Sequence, residues 1–236
     1  MTRHPVAVRF DYSTSGRCSL RYRLMLPDTS CRIRKGTCIM KHLFYLMGKS
    51  ASGKDTLYEY LLENDSLRLE PLVPWTTRPI RATEQEGVEY HFTDEEGLRA
   101  LEEQGRVIEK RTYLTEHGPW TYFTVDDEEN SSRDRIGIGT LESFLKMRDY
   151  YPPGYVIPIY IEVEDGIRLA RALKRERKPG NHRFEEMCRR FLADQKDFSE
   201  DNLHAAGIEK RFQNEKDRKE CFAEVEAYIR GIQNEA

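Results

Sequence analysis

The chain has 236 residues, of which 33% are charged, and its formal net charge is −3. This length suits one domain with at most a small inserted subdomain. With no apolar run of membrane-spanning length and no basic surplus in the body of the chain, we expect neither a membrane nor a nucleic-acid partner.

Residues 1–39 form a basic leader that differs from the rest of the chain. It carries eight basic side chains against two acidic ones and three of the five cysteines. Two interpretations compete: an Arg-rich targeting or binding arm, or a non-functional extension with Met40 as the natural start. The second is favoured because Met40 directly precedes an apolar run, and we expect a disordered segment. The lack of paired CxxC motifs and of a signal-peptide core predicts a reduced, cytoplasmic protein.

The first predicted elements are a strand, a glycine-rich loop and a helix. The apolar MKHLFYLM (40–47) leads into GKSASGKDT (48–56), and LYEYLLE (57–63) has helical spacing. This order is typical of a phosphate-binding loop, whose backbone N–H groups and helix N-terminus surround an anion. The sequence therefore predicts that ATP is bound by Gly48, Ser50, Ala51, Ser52, Gly53, Lys54, Asp55 and Thr56.

Asp55 stands where the pattern G-x-x-x-x-G-K-[ST] has a hydroxyl that binds Mg²⁺. A carboxylate can also bind Mg²⁺, directly or through water. Alternatively, Asp55 is only a favourable charge in the first turn of a helix, and both interpretations can hold together.

Later in the chain, strands alternate with helices. RIGIG (135–139) and VIPIYIEV (156–163) read as buried strands, each followed by a helical segment. This alternation predicts an α/β protein with a parallel sheet covered on both faces. Within a domain at 40–236, a polar stretch at 76–124 interrupts the pattern and is predicted to be an inserted subdomain. The polar, PG-containing stretch at 175–185 is predicted to be a mobile lid.

The insert begins with a segment rich in specific side chains, TTRPIRATEQEGVEYHF (76–92). Arg78 and Arg81 could hold one phosphate, while Glu84 and Tyr90 offer an acceptor and a hydroxyl. The alternative is a solvated, charged hairpin.

At this segment the chain resembles the guanylate kinase family, whose acceptor motif is T-T-R-x-P-R-x-G-E-x-x-G-x-x-Y-x-F. The arginines, Glu84, Gly87, Tyr90 and Phe92 keep their spacing, whereas the proline moves to position 79 and Thr83 replaces a glycine. The resemblance implies a P-loop NTPase three-layer fold with an acceptor-binding insert and a lid. It also implies transfer of the γ-phosphoryl group of ATP to GMP or dGMP, with Mg²⁺.

The resemblance extends over nearly all of residues 40–232 and implies further site residues. VIEKRTY and GPWTYFT match base- and phosphate-reading segments of the family, and the lid helices carry its arginines. By this match the acceptor is bound by Arg78, Arg81, Glu84, Tyr90, Glu109, Tyr122 and Thr124. The catalytic residues are Lys54, Arg78, Arg175 and Arg190, with Arg171 a further phosphate contact and Asn214 near the adenine.

Two departures concern the metal and the base. The family's acidic D-x-D pair is replaced by a region with Thr140 and Glu142, and Pro74 stands where members read guanine with a serine. We hypothesise that Asp55 restores part of the lost negative charge near the metal. Two alternatives stay open: a kinase for another small phosphorylated acceptor such as ribose 1,5-bisphosphate, and a non-catalytic binding module.

Overall fold

The computed structural model describes residues 42–82, 84–115, 118–127, 133–178, 180 and 182–235. The leader at 1–39, Met40, Thr83 and the proline of the predicted lid lie outside the described residues. The strands are β1 (Leu43–Met47), β2 (Glu70–Pro71), β3 (Trp75–Thr76), β4 (His91–Phe92), β5 (Val107–Thr115), β6 (Gly118–Val125), β7 (Arg135–Gly139), β8 (Val156–Glu162) and β9 (Arg211–Gln213). The helices are α1 (Lys54–Glu63), α2 (Glu95–Glu103), α3 (Leu141–Tyr150), α4 (Asp165–Glu176), α5 (Phe184–Asp197), α6 (Glu200–Ala205) and α7 (Arg218–Glu235).

Five strands form a parallel sheet in the order β2-β7-β1-β8-β9. The central strand β1 is buried along its whole length, as expected for a strand covered on both faces. Its alternate side chains enter two different cores. Leu43, Tyr45 and Met47 pack with residues of α3, whereas Phe44 and Leu46 pack with residues of α1 and α7. The α/β fold with helices on both faces of a parallel sheet is therefore confirmed.

A second sheet, in the order β4-β3-β6-β5, is built from residues between β2 and β7. Its β3–β6 and β5–β6 pairs are antiparallel. The sheet has a small core of its own, where Leu98 of α2 packs with Phe123 and Val125 of β6. Asp94 caps α2 by accepting from the Gly97 backbone N–H at 2.8 Å. The division into a domain, an insert at 76–124 and a lid at 175–185 stays a prediction.

Carboxyl ends of parallel strands meet at one edge of a sheet, and this edge positions the site. Met47, the last residue of β1, is paired with Gly139 of β7 and Tyr160 of β8. The glycine-rich loop after β1 and the start of α3 after β7 consequently emerge side by side. Among the described residues, no helix combines the length and the apolar character that crossing a membrane would require.

Candidate functional site

The phosphate loop, residues 48–56, joins β1 to α1. Gly53 precedes the helix with φ 91°, a backbone angle that glycine adopts without strain. A side chain at position 53 would also collide with Asn214, because an added Cβ would lie 2.6 Å from Asn214 Nδ2. Asn214 in turn donates from Nδ2 to the Ser52 carbonyl at 2.8 Å. The loop is thus held open by the residue that follows β9.

Two buried polar atoms at this loop have no hydrogen-bond partner among the described residues: Ser52 Oγ and Asn214 Oδ1. Buried polar atoms normally have partners, so unpaired ones beside an anion-binding loop fit a ligand site. Asn214 is thereby placed against the loop itself.

Lys54 and Asp55 begin α1. The Lys54 ammonium lies 3.5 Å from the Asp55 carboxylate, which is 78% exposed. No group of three or more Asp, Glu, His or Cys that could hold a metal is present in the described part of the chain. Mg²⁺ needs few protein ligands, because it keeps several waters and shares phosphate oxygens. The oxygen atoms of Asp55 and Thr56 fit that requirement.

A buried arginine, which the sequence analysis did not single out, fixes the loop from the other side. The Arg168 side chain is 1% exposed and donates to Asp165 at 2.7 Å and to the Ser50 carbonyl at 3.0 Å. It also lies 3.3 Å from Asp194 and 4.6 Å from the ring of Phe191. We refer to Arg168, Asp165, Asp194 and Phe191 as the Arg168 cluster.

The Arg168 cluster bonds directly to the loop backbone. Asp194 accepts from the Ser50 N–H at 2.8 Å, and Lys49 donates to Gln195 at 2.6 Å. Burial alone would raise the pKa of Asp165, but hydrogen bonds from Gln195 and Arg168 lower it below its usual range. The carboxylate therefore stays charged. The α4 and α5 helices are thus anchored to the phosphate loop.

Arg175 and Arg190, which are predicted to act on the phosphates, lie on these same helices. Arg175, Arg190 and Ser50 line one small cavity, so the structure brings both side chains to the loop. Arg175 donates to Glu176 at 3.1 Å and Arg190 to Glu186 at 2.7 Å. Arg171 donates instead to the Asn214 carbonyl at 2.8 Å.

The second sheet carries a cluster around Arg78, whose side chain is 2% exposed. Its guanidinium donates to both carboxylate oxygens of Glu84, at 2.9 Å each, and lies 5.3 Å from the Tyr90 ring centroid. Arg78 Nε is buried without a partner in the described residues. The hydrogen bonds raise the pKa of Arg78 and lower that of Glu84, so both stay charged. Arg78 and Glu84 are thus paired and mostly buried rather than fully solvated, and the role of the segment as an acceptor site stays a prediction.

The remaining members of this cluster surround Arg78. Tyr122 on β6 contributes to the raised pKa of Arg78, and its ring centroid lies 5.6 Å from that of Tyr90. Burial raises the pKa of Tyr90, which keeps its hydroxyl protonated and able to donate. Arg81, by contrast, is 63% exposed and points less deeply into the site.

A second polar group lies on β5 and β6. The Glu109 side chain is 4% exposed and accepts from Thr124 Oγ1 at 2.9 Å. Its other oxygen accepts from Arg111 Nε at 3.1 Å, and Arg111 also donates to Thr140 Oγ1 at 3.3 Å. Glu109 opens into a cavity of about 350 Å³ that Glu142 also lines. Arg111 was missed because only the fold places it against Thr140.

The two glycines of β7, which precede Thr140, have a structural explanation in Tyr45. A Cβ added at Gly139 would lie 2.2 Å from the Tyr45 hydroxyl, and one at Gly137 would lie 3.1 Å from its ring. The side chain of β1 thus fills space beside β7. The Tyr45 hydroxyl donates to Ser143 at 2.8 Å, and burial raises its pKa to about 12. The last residue of β7 is therefore a glycine, and Thr140 caps α3 directly after it.

A phosphate loop between a buried parallel strand and a helix, in a sheet with helices on both faces, defines an α/β protein of the P-loop NTPase class. The family model described as guanylate kinase matches residues 40–120. These matched residues contain the phosphate loop and most of the second sheet, so over this part the chain is similar to the guanylate kinase family.

Individual relatives agree with this family. The chain is 37% identical over 100 residues to a guanylate kinase of Granulibacter bethesdensis, an alignment covering 40% of this chain and 42% of that protein. It is 27% identical over 124 residues to one of Coxiella burnetii, covering 51% and 60%. The alignments thus span less than two thirds of these relatives' own length.

A solved structure agrees in fold. The crystal structure of guanylate kinase from Anaplasma phagocytophilum superposes with a TM-score of 0.55 at 22% identity, over 82% of this chain and 87% of that one. The likeness therefore extends well beyond the residues that the family model matches.

Proposed function

We propose that the protein transfers the γ-phosphoryl group of ATP to GMP or dGMP, giving ADP and GDP or dGDP. The observation that carries this proposal is the buried Arg78 with its unpaired Nε, held by Glu84 beside two tyrosines. Such a fixed guanidinium suits the planar recognition of a phosphate. The acceptor phosphate is assigned to Arg78, Arg81, Tyr90 and Tyr122, and the base to Glu109 and Thr124.

In this proposal the phosphate loop and Lys54 bind the ATP phosphates. Arg175 and Arg190 stabilise the charge that develops in the transition state, because both line the cavity that reaches the loop at Ser50. The attacking atom is the acceptor's own phosphate oxygen, so no protein base is needed. Catalysis then rests on positioning and on charge neutralisation.

Mg²⁺ bound with ATP would neutralise phosphate charge. Asp55 and Thr56 are the residues proposed to hold it, and Asn214 is proposed to lie near the adenine. Residues 175–185 are proposed to exclude water on closing over the substrates. The proposal includes a cytoplasmic location, where both nucleotides are available.

The test measures ADP formation from Mg-ATP by the full chain, with GMP, dGMP, AMP, UMP, CMP and ribose 1,5-bisphosphate offered separately. Turnover with GMP and dGMP supports the proposal. Turnover with ribose 1,5-bisphosphate alone, or ATP binding without turnover on any acceptor, overturns it in favour of another kinase or a binding module.

Two variants locate the acceptor site. Arg81→Ala removes a charged phosphate donor, so we expect the KM for GMP to rise about tenfold while the KM for ATP stays the same. Arg99→Ala, an exposed arginine on α2, is the matched control and should leave both unchanged. An Arg81→Ala enzyme with unaltered KM for GMP would contradict this assignment.

A further inference from the structure

We propose that Arg111 sets the base selectivity of the acceptor site, so that the site accepts 6-oxopurine nucleoside monophosphates with or without a 2-amino group. This inference rests on the proposed function, because it concerns the base bound at Glu109.

The Glu109 carboxylate is satisfied by the protein before any base binds. Thr124 donates to one oxygen at 2.9 Å and Arg111 donates to the other at 3.1 Å. A carboxylate offers about four acceptor positions, so it can still accept from a base N–H. It does not need a base to avoid an unpaired buried oxygen.

Arg111 is held in this position as a cation. Burial alone would lower its pKa, but the charge and hydrogen bond of Glu109, together with Tyr45 and Tyr113, outweigh burial and keep the pKa above its ordinary value. The second anchor is Thr140, which accepts from Arg111 at 3.3 Å at the start of α3. The guanidinium thus links β5 to the end of the parallel sheet, beside the base cavity.

A second buried carboxylate for the base is absent from the described residues that line this pocket. Tyr45 fills the space where β7 would carry side chains at Gly137 and Gly139. The other acidic residues that line the cavity are Glu102, which pairs with Lys110, and the exposed Glu142. An exposed carboxylate stays hydrated. The free energy of binding therefore changes little when the bound base offers it no N–H donor.

These contacts decide how strongly the site distinguishes two bases. A site rejects an analogue that lacks an N–H when a buried acceptor is then left unpaired, and this rejection reaches about 10⁴- to 10⁵-fold. Here the buried acceptor already has two protein donors. A hypoxanthine base, which has the 6-oxo and N1–H groups of guanine without the 2-amino group, should therefore be accepted.

The experiment compares kcat/KM for GMP and IMP, two nucleotides that differ only in the 2-amino group, using the full chain and saturating Mg-ATP. We expect a GMP preference below about a hundredfold. A larger preference in the unaltered protein overturns the inference while leaving the proposed kinase function standing. If neither nucleotide is turned over, both the selectivity inference and the proposed kinase function are overturned. A direct measurement of GMP and IMP binding then shows whether binding or phosphoryl transfer is lost.

A variant tests the role of Arg111 itself. Arg111→Met removes the donor to Glu109 and retains much of the side-chain length, so the freed oxygen should favour the base with the extra N–H. The GMP preference over IMP should then rise about tenfold or more. Arg99→Met is the matched control, and Arg111→Lys, which keeps a donor, should restore the lower preference. An unchanged ratio in a folded Arg111→Met protein would refute a selectivity role.

Discussion

Replacing Arg168 by methionine tests whether the Arg168 cluster holds the phosphate loop in place. The side chain is 1% exposed, and its partner Asp194 is 16% exposed. Removing one member of a buried ion pair destabilises a protein by about 3–5 kcal/mol. Asp165 is 41% exposed, and water replaces part of its lost contact. We therefore expect the lower end, a loss of about 3 kcal/mol in the free energy of unfolding.

The assay is urea unfolding at equilibrium, followed by circular dichroism. The urea concentration at the midpoint of unfolding should fall while the slope m stays constant. This result would show a loss of stability without a change in the surface that unfolding exposes. Lys174→Met, an exposed lysine on the same helix, should change the free energy of unfolding by less than about 0.5 kcal/mol. A loss below about 1 kcal/mol for Arg168→Met would refute the reasoning.

The same cluster predicts a catalytic effect. Arg190 and Asp194 are four residues apart on α5, and therefore lie on one face one turn apart. Asp194→Asn should loosen the anchor at Ser50 and lower kcat for GMP phosphorylation, leaving the KM for GMP nearly constant. If Asp194→Asn and Arg168→Met have strictly additive effects on stability, the two side chains do not act as one unit.

Further predictions concern a close contact and a pH effect. Gly139→Ala places a Cβ 2.2 Å from the Tyr45 hydroxyl and should destabilise the protein by about 1–3 kcal/mol in thermal unfolding. Gly231→Ala on α7, where a Cβ meets nothing within 4 Å, is the control and should be neutral or stabilising. Equal melting temperatures for the Gly139→Ala and Gly231→Ala variants would contradict the steric argument. Hydrogen bonds from Arg189 lower the pKa of Glu186 from 4.5 to about 2. Its stabilising contribution is therefore complete above pH 4.5 and disappears as the pH falls through about 2. Because Glu186 is 36% exposed, solvent screening limits its contribution to about 1 kcal/mol. The difference in unfolding free energy between the wild type and Glu186→Gln should therefore disappear at low pH, and a difference that grows as the pH falls would contradict this prediction.

The sequence predicts those parts of the molecule that depend on neighbours along the chain. The glycine-rich loop, the buried β1 and the arginine motif of the second sheet are each readable from a short segment. Arg168 and Ser50 are 118 residues apart. A lone arginine on a charged helix resembles a solvated side chain, so its burial follows only from the packing of α4 against the loop.

The end of β7 illustrates the same limit. The sequence reveals glycines at the end of β7 but not the occupant of the space they leave. That occupant, Tyr45, belongs to β1 and is brought there by strand pairing. Likewise, Glu109 is readable as a candidate base contact, whereas its neutralisation by Arg111 depends on the register of β5 and on the start of α3.

The strand order has a consequence for how such a protein can change its substrate. β2 and β7 are hydrogen-bonded parallel neighbours, and the whole second sheet lies between them in the chain. Parallel neighbours must be joined by a long crossover, so the second sheet occupies the place of that crossover. Crossovers vary in length without disturbing the strands they connect. Evolution or design can therefore enlarge, trim or exchange the second sheet as one unit, while the parallel sheet keeps its strand order.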